Sequence, residues 1–321
     1  MKKAIRALLL LALAAAVPYA YAQSGKWPDK SVRVIVPFAP GGATDVVARI
    51  MSPRLSEEFG QQFIVDNRAG AGGAIGAELA ARATPDGYTI IIIASSYPSN
   101  AALYKLPYDP IKGIAPVSMI TTGPFILAVH PSVKANDLKS FIELARAKPG
   151  SLSFGSSGTG GVPHLAFEHF LQMTNMKMVH VPYKGDAPAV ADLLGGHIQS
   201  IFVGPLVISQ HMAAGKLRGL AVTTEKRSPI MPDLPAISEQ VPGYSATTWF
   251  GMWAPLGTPK EIVTQLNQAI ARILGRPDVQ ERLRGDGMVG AHSTPEEFAG
   301  IIARDIAKWT KVVQVGNIKV D

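Results

Sequence analysis

The chain has 321 residues, of which 47% are hydrophobic and 17% charged, with no cysteine and a formal net charge of +7. The lack of cysteine excludes disulfides, thiol nucleophiles, iron-sulfur clusters and cysteine-based zinc sites. Basic residues are scattered and form no stripe of the kind that follows a phosphate backbone, so we expect no nucleic-acid partner.

The N-terminus has the pattern of a secretory signal peptide. Basic residues at positions 2, 3 and 6 precede an apolar run from Ala7 to Val17, and Ala20-Tyr21-Ala22 is a small-x-small cleavage site. About 11 apolar residues are too few to span a bilayer, which takes roughly 20. We therefore predict a signal peptide over residues 1–22, cleavage after Ala22 and a soluble periplasmic protein; an uncleaved anchor is the alternative.

The first predicted unit is a strand, a glycine loop and a helix. Val32 to Val36 is β-branched and ends in the loop Pro37-Phe-Ala-Pro-Gly-Gly42. From Thr44 the apolar residues fall on one helical stripe, and Thr44 or Asp45 is placed to cap that helix.

The same order recurs along the chain. Further strands are predicted at 63–65, 88–93, 124–129, 151–154, 180–183, 200–203, 217–223 and 250–254, with helices ending near 83 and at 138–147, 163–174, 188–194, 260–274, 279–284 and 295–313. Alternating strands and helices imply mainly parallel sheets. The mature chain of about 299 residues exceeds the size at which one core usually stops growing, so two lobes are expected.

The late helices have no matching late strands, so we expect them to pack on the first sheet. The chain should then cross between lobes near residues 124 and 253. This gives a first lobe of residues 23–124 plus 254–321 and a second lobe of residues 125–253.

Two glycine loops are the strongest site candidates. The first follows Val36, and the second is Gly155-Ser-Ser-Gly-Thr-Gly-Gly161. Each lies between a strand and a helix, where free backbone N–H groups and the positive end of the helix dipole favour an anion. Two such loops at the carboxyl ends of strands predict a cleft between lobes. The alternative for each loop is that its glycines only allow a tight turn and close helix packing.

Other residues have two possible roles each. Asp45 either caps its helix or accepts hydrogen bonds at the cleft. Tyr183 and Lys184 either give the cleft an aromatic wall and a positive charge or form an ordinary exposed turn. Trp249, Phe250 and Trp253 favour hinge or core packing over ligand stacking.

The sequence shows no complete catalytic or cofactor motif. Gly70 to Gly76 reads G-x-G-x-x-x-G and departs from the dinucleotide fingerprint, and no phosphate loop of the G-x-x-x-x-G-K-[ST] type occurs. The segment Gly155 to Thr159 lacks the last glycine of a nucleophile elbow, and there is no H-E-x-x-H. We expect no catalytic residue, metal or cofactor, with an exported hydrolase as the rival class.

With these residues assembled, the chain resembles a known family. The likeness rests on Trp27-Pro-Asp, on Val36-Pro-Phe-Ala-Pro-Gly-Gly-Ala-Thr-Asp45, on Val65-Asp-Asn-Arg-Ala-Gly-Ala-Gly-Gly73, on Pro85-Asp-Gly-Tyr88, on the second glycine loop with His164-Leu165, on Val181-Pro-Tyr-Lys-Gly185, on Ala214-Gly-Lys-Leu-Arg218, on Arg227-Ser228 and on Pro255-Leu-Gly-Thr-Pro259. It resembles the solute receptors of tripartite tricarboxylate transporters, the Bug-type periplasmic binding proteins, over essentially all of the mature chain.

The resemblance implies an α/β type II periplasmic-binding-protein fold, with two Rossmann-like lobes joined by two crossing strands around a ligand cleft. It implies a small carboxylate ligand (a di- or tricarboxylate, or an aromatic or aliphatic acid) and two integral membrane partners, one large and one small. We expect a monomer; a receptor that signals to a membrane sensor is the alternative. The candidate ligand-binding residues are Phe38, Ala39, Gly41, Gly42, Thr44, Asp45, Ser95, Ser156, Ser157, Gly158, Thr159, Gly160, His164, Tyr183, Lys184 and Val203.

One segment departs from the family pattern. Gln199 and Val203 stand where the family often has acidic residues. We therefore hypothesise a ligand without an ammonium group.

Overall fold

The computed structural model describes residues 27–183 and 185–319. The predicted signal peptide and Lys184 lie outside these residues. The described chain forms two α/β lobes, each built on one sheet, which confirms the predicted fold class. Among the described residues, no helix is both long and apolar enough to cross a lipid bilayer.

The first lobe contains a six-stranded sheet in the order β11-β4-β10-β3-β1-β2. β1 runs parallel to β2 and β3, whereas β10 runs antiparallel to β3 and β4. Its elements are β1 Val32–Val36, α1 Ala43–Phe59, β2 Phe63–Asn67, a 3-10 turn Ala71–Gly73, α2 Ala74–Ala81, β3 Thr89–Ala94, α3 Ser96–Leu103, β4 Ile114–Pro124, β10 Thr247–Pro255, α8 Lys260–Leu274, α9 Pro277–Gly285, β11 Val289–Gly290 and α10 Pro295–Gly316.

The second lobe contains a five-stranded sheet in the order β7-β6-β8-β5-β9. β6 runs parallel to β7 and β8, whereas β5 runs antiparallel to β8 and β9. Its elements are β5 Ile126–Val129, α4 Leu138–Ala147, β6 Ser153–Ser156, α5 Val162–Thr174, β7 Val179–Pro182, α6 Asp186–Leu194, β8 Ser200–Val203, α7 Pro205–Ala213, β9 Arg218–Val222 and a 3-10 turn Ile237–Glu239.

The central strand β3 shows why this sequence forms a sheet covered on both sides. Its four isoleucines are buried and point alternately to the two faces, as side chains of a strand must. Ile90 and Ile92 pack in the core beneath α1 and α8, whereas Ile91 and Ile93 pack with Trp253 on the other face. A continuous apolar run is what a strand buried on both faces requires.

The two sheets are connected by adjacent chain segments. β4 ends at Pro124 and β5 begins at Ile126, and the Phe125 N–H donates to the Thr223 hydroxyl at 2.9 Å. On the return path, the Ala246 N–H donates to the Thr223 carbonyl at 2.8 Å, and Thr247 pairs with Pro124.

The prediction of a second crossing near residue 253 does not match this pairing. β10 belongs to the six-stranded sheet from Thr247 onward, because its ladder with β4 starts there. The predicted strand starts too late, at residue 250, because β10 begins with two polar, half-buried threonines. Only the apolar run from Phe250 onward has the pattern of a buried strand. We accordingly propose lobe boundaries at residues 125 and 246.

The last helix belongs partly to each lobe. The prediction that late helices pack on the first sheet holds for α8 and for the first half of α10, where Phe298 and Ile302 join the core of the first lobe. Further along α10, however, Trp309 and Val312 are buried in the core of the second lobe. The helix therefore links the lobes in addition to the two crossing segments.

Candidate ligand-binding site

A cavity of about 300 Å³ lies between the lobes. It adjoins the loop after β1, the turn after β8, the two crossing segments and the link between α9 and β11. The lining residues are Gly41, Ala43, Val46, Phe125, Asp186, Gly204, Pro205, Val207, Thr248, Phe250, Asp286, Gly287 and Met288. Most of these side chains are apolar, so the cavity suits a ligand with a hydrocarbon portion.

A second cavity, of about 310 Å³, lies on one flank of the first lobe. Trp27, Phe59 and Arg272 are among its lining residues. It lies between α1 and α8, away from the carboxyl ends of the strands. Ligands of open α/β sheets bind at those ends, so the cavity between the lobes is the better candidate.

Three helices begin at the cavity between the lobes. These are α1, α6 and α7, and their N-cap residues are Gly42, Gly185 and Gly204. None of the three caps gives a side-chain hydrogen bond to the first turn of its helix. The first turn of α1 therefore keeps its N–H groups for an anion. Pro188 and Pro205 each remove one donor from the first turns of α6 and α7, and the Val207 N–H donates to the Gly204 carbonyl at 3.3 Å, so these two helices contribute fewer N–H groups together with their positive dipole ends.

Helices that begin elsewhere include some with side-chain caps and some without. α4 and α10 do not reach the cavity, and each has a capping box, formed by Asp137 with Ser140 and by Thr294 with Glu297. α2 and α5 also begin at a glycine without a side-chain cap, Gly73 and Gly161, although neither lines the cavity between the lobes. A side-chain cap on α1, α6 or α7 would occupy N–H groups that a ligand could use.

The first glycine loop is held by the buried carboxylate of Asp45. Its Oδ2 accepts hydrogen bonds from the Gly41 N–H at 2.9 Å and from Arg49 Nε at 2.8 Å, and its Oδ1 accepts one from Asn67 Nδ2 at 3.0 Å. The Gly42 N–H donates to the Ala39 carbonyl at 3.4 Å. The loop glycine amides are thus used internally, and the amides of the first turn of α1 remain for a ligand.

Asp45 therefore takes neither of the two roles considered from the sequence. It does not cap α1, which starts from Gly42, and it is 2% exposed. Burial by itself would raise the pKa of Asp45, but the hydrogen bonds from Arg49, Gly41 and Asn67 outweigh burial and hold it below its usual value. The carboxylate is charged and shapes the loop from beneath.

The second glycine loop is closed by two stacked histidines. The Gly160 N–H donates to His164 Nδ1 at 3.0 Å, and the ring of His164 stacks on that of His180 at 3.8 Å between centroids. His180 Nε2 lies 2.7 Å from the hydroxyl of Ser156. Because Ser156 and His164 are buried, these residues support the loop and do not line the cavity between the lobes.

The contact between Ser156 and His180 does not form a working catalytic pair. Burial, followed by the neighbouring His164, lowers the pKa of His180 to about 3, so the imidazole is a weak base. The Ser156 side chain is fully buried, and no carboxylate among the described residues bonds to the His180 ring. A serine nucleophile needs an exposed hydroxyl and an oriented base.

The remaining predicted site residues are placed in several environments. Ser95 is buried, and its N–H donates to the Trp249 carbonyl at 2.8 Å. The Tyr183 hydroxyl donates to Asp192 at 2.7 Å. Phe38 and Thr44 flank the first loop, Ala39 and Thr159 are exposed, and Ser157 and Gly158 are half-buried. Of the sixteen candidates, Gly41 is among the residues that line the cavity.

The structure also changes the interpretation of Gln199 and Val203. The Gln199 side-chain oxygen accepts from the Ser153 N–H at 2.9 Å, at the amino end of β8 and therefore opposite the cavity. Val203 is fully buried in the core of the second lobe. Neither position faces the cavity, so the missing acids say nothing about the charge around a ligand there.

Sequence reasoning missed most of the cavity, including Asp186 and Gly204, and it favoured packing over ligand contact for Phe250. One signal was available, because Gly204-Pro205 follows a predicted strand and proline is favoured in the first turn of a helix. Trp249 and Trp253 are core residues, as the sequence favoured: Trp249 Nε1 donates to Asp305 at 2.8 Å, and Trp253 is fully buried. Phe250 is both a core residue and part of the cavity wall.

Comparison with known proteins shows which family has this sequence and fold. The family model described as "TctC: Tripartite tricarboxylate transporter family receptor" matches residues 47–318. The chain belongs to this family. Among its relatives, Protein BugT of Bordetella pertussis is 36% identical over 297 residues, which cover 91% of each chain. The resemblance inferred from the motifs is thereby confirmed, and the protein is a solute receptor of the tripartite transporter class.

Solved structures share the fold of this receptor. Rpa4515 of R. palustris, determined with adipate, is 38% identical and has a TM-score of 0.79, covering 91% of this chain and 99% of its own. MatC from Rhodopseudomonas palustris, with bound malate, is 31% identical and has a TM-score of 0.75, covering 89% of this chain and 100% of its own. Membership of this family of periplasmic binding proteins places the receptor in the periplasm.

Proposed function

We propose that the receptor captures a small carboxylate in the cavity between its lobes and delivers it to two integral membrane subunits, one large and one small. The observation that supports this most directly is the convergence of three glycine-capped helix starts, those of α1, α6 and α7, on one cavity. Such starts bind an anion through backbone N–H groups without a basic side chain.

The walls of the cavity favour a ligand with an apolar carbon chain. Phe125, Phe250 and Met288 line it from the first lobe and the crossing, and Val207 from the second lobe. The relative determined with adipate, an unbranched dicarboxylate, fits the same description. We therefore assign the ligand to the aliphatic or aromatic acids, with dicarboxylates foremost.

The remaining parts of the proposal concern processing and assembly. Cleavage after Ala22 would release a mature chain that begins at Gln23, and the receptor would act as a monomer. Ligand that touches both lobes would favour the closed arrangement by its higher affinity for that arrangement. No catalytic step is part of this function.

A thermal-shift panel tests the proposal. Receptor purified from the periplasm is heated with mono-, di- and tricarboxylates, and in parallel it is incubated with ester and amide substrates. We expect a carboxylate to raise Tm, because a ligand at a hundred times its Kd stabilises the folded state by about 2.7 kcal/mol. A hydrolase would instead turn over an ester, lose that activity in Ser156→Ala or Ser157→Ala, and show no stabilisation by carboxylates.

A further inference from the structure

A carboxyl oxygen in the wall of the cavity has neither a hydrogen bond nor a salt bridge within the described part of the chain. Asp186 is the first residue of α6 and lines the cavity, and its Oδ1 is buried without a hydrogen-bond partner among the described residues. The Ser157 hydroxyl of the second glycine loop lies beside it. A buried carboxyl oxygen without a partner is costly in a folded protein, so it calls for an explanation.

Among the described residues that line the cavity, none has a basic side chain. Asp286 is the other acid there. Its Oδ2 also accepts no hydrogen bond among the described residues, but it forms a salt bridge with Arg282 Nε at 3.2 Å. The strands behind α6, β6 and β8, have no titratable side chain, and α7 has His211 in its last turn, away from the cavity. On α6 itself, Asp192 accepts from Tyr183. Lys184, which precedes α6, lies outside the described residues.

This arrangement puts a carboxyl where an anionic ligand should bind. The helix starts of α1, α6 and α7 attract a carboxylate to the cavity, and Asp186 is part of its wall. Two ionised carboxylates at close range repel each other strongly, and such pairs keep one proton between them. Burial already raises the pKa of Asp186 above its ordinary value, although the Ser157 hydroxyl partly opposes this.

We propose that Asp186 is a ligand-binding residue that is protonated in the loaded receptor and donates its O–H hydrogen bond to a carboxylate of the ligand. The proposal rests on the proposed function, because it assumes a carboxylate ligand. Asp186 takes one proton from the solvent when ligand enters and returns it when ligand leaves. The ligand remains ionised, and no covalent bond is made or broken.

Two consequences follow for specificity. A ligand carboxylate that reaches Asp186 binds more tightly as the pH falls, because one proton is taken up with each ligand. An amino acid that placed its ammonium group at Asp186 would show the opposite linkage, since it needs the ionised carboxylate. The direction of the pH dependence therefore reports which chemical group of the ligand faces this residue.

Calorimetric titration with adipate tests the proposal. The receptor, Asp186→Asn and the matched control Asp192→Asn are titrated between pH 6 and pH 8, in pairs of buffers with different ionisation enthalpies. Asp192 is on the same helix but is bonded to Tyr183. Over this pH range the adipate carboxylates are ionised, since ordinary carboxyl groups titrate near pH 4. The same proteins are also titrated with 2-aminoadipate.

For the receptor and Asp192→Asn we expect uptake of close to one proton per adipate, with Kd rising toward about tenfold per pH unit above the pKa of free Asp186. In Asp186→Asn we expect binding without proton uptake and with a Kd independent of pH, because the amide N–H replaces the carboxyl O–H as donor.

Adipate binding without proton uptake in the unsubstituted receptor would overturn this proposal alone. Loss of binding in Asp186→Asn together with preference for 2-aminoadipate would also overturn it and assign Asp186 to a cation. Failure of every carboxylate to bind would contradict the proposed function itself.

Discussion

Asp45 is buried beneath the first glycine loop and accepts hydrogen bonds from Gly41, Arg49 and Asn67. These donors come from the loop, from the next turn of α1 and from the end of β2. One carboxylate thus fixes three segments next to the place where a ligand would bind. Its contribution to the site is the shape of the loop.

Replacing this carboxylate tests its structural role. Asp45→Asn cannot accept all three hydrogen bonds, and bonds to a charged group contribute about 1.5–3 kcal/mol each. We expect the free energy of unfolding at pH 7 to fall by about 2–3 kcal/mol in urea denaturation, within the range of a broken buried polar network. Asp233→Asn, at an exposed position, should change it by less than about 0.5 kcal/mol. Equal effects of both substitutions would contradict the role assigned to Asp45.

The effect should also depend on pH. The pKa of Asp45 is lower in the folded protein than its ordinary value, so the carboxylate stabilises the fold at pH values above about 4 and loses this effect as the pH falls further. The difference in unfolding free energy between the receptor and Asp45→Asn should shrink on acidification. A difference that grew below pH 4 would show that another group is responsible.

At the scale of helices and strands, the sequence predicted most elements because periodicity and capping are local. α4 and α8 have the predicted bounds, and β1 and β8 match residue for residue. Two of the missed elements contain conflicting local signals: α3 contains Pro98, and β4 contains several polar residues and Pro116. Tertiary contacts overcome these weak local preferences, and such contacts cannot be inferred from local sequence patterns.

The two halves of α10 have different environments that its regular apolar stripe did not reveal. Trp309 is buried against the second lobe, whereas Val315, six residues further along, is 64% exposed. Truncating a buried tryptophan typically costs about 3–5 kcal/mol. We therefore expect Trp309→Ala to lower the free energy of unfolding by that amount.

Urea denaturation checks this prediction, with Val315→Ala on the same helix as the control. The control should stay within about 0.5 kcal/mol of the receptor. A loss below about 1 kcal/mol in Trp309→Ala would mean that the end of α10 is not part of the second-lobe core.

At the scale of the whole molecule, the site exists only where the two lobes meet. The sequence predicted two anion-binding glycine loops facing a cleft, and one of them, through Gly41, reaches the cavity. Asp186 and Gly204 were missed, and Phe250 was assigned to packing, because these residues come from different parts of the chain. Only the strand order of the two sheets and the crossings bring them together. Local patterns in a sequence do not encode that arrangement.

A side chain introduced at Gly204 can occupy the cavity and so test whether ligand binds there. The Gly204 backbone has φ −65° and ψ 151°, which any residue can adopt, and a Cβ built there meets no atom within 4 Å. A larger side chain at this position should therefore leave the fold intact. Because Gly204 lines the cavity, that side chain would take the space of a ligand.

The most direct test of carboxylate capture between the lobes is calorimetric titration of the receptor, Gly204→Ala and Gly204→Leu with adipate, after circular dichroism has shown that all three have the same Tm. We predict one site per chain, nearly unchanged affinity in Gly204→Ala and at least about tenfold weaker binding in Gly204→Leu, a loss of about 1.4 kcal/mol or more. Equal affinity in all three proteins would contradict the account and place the ligand outside this cavity.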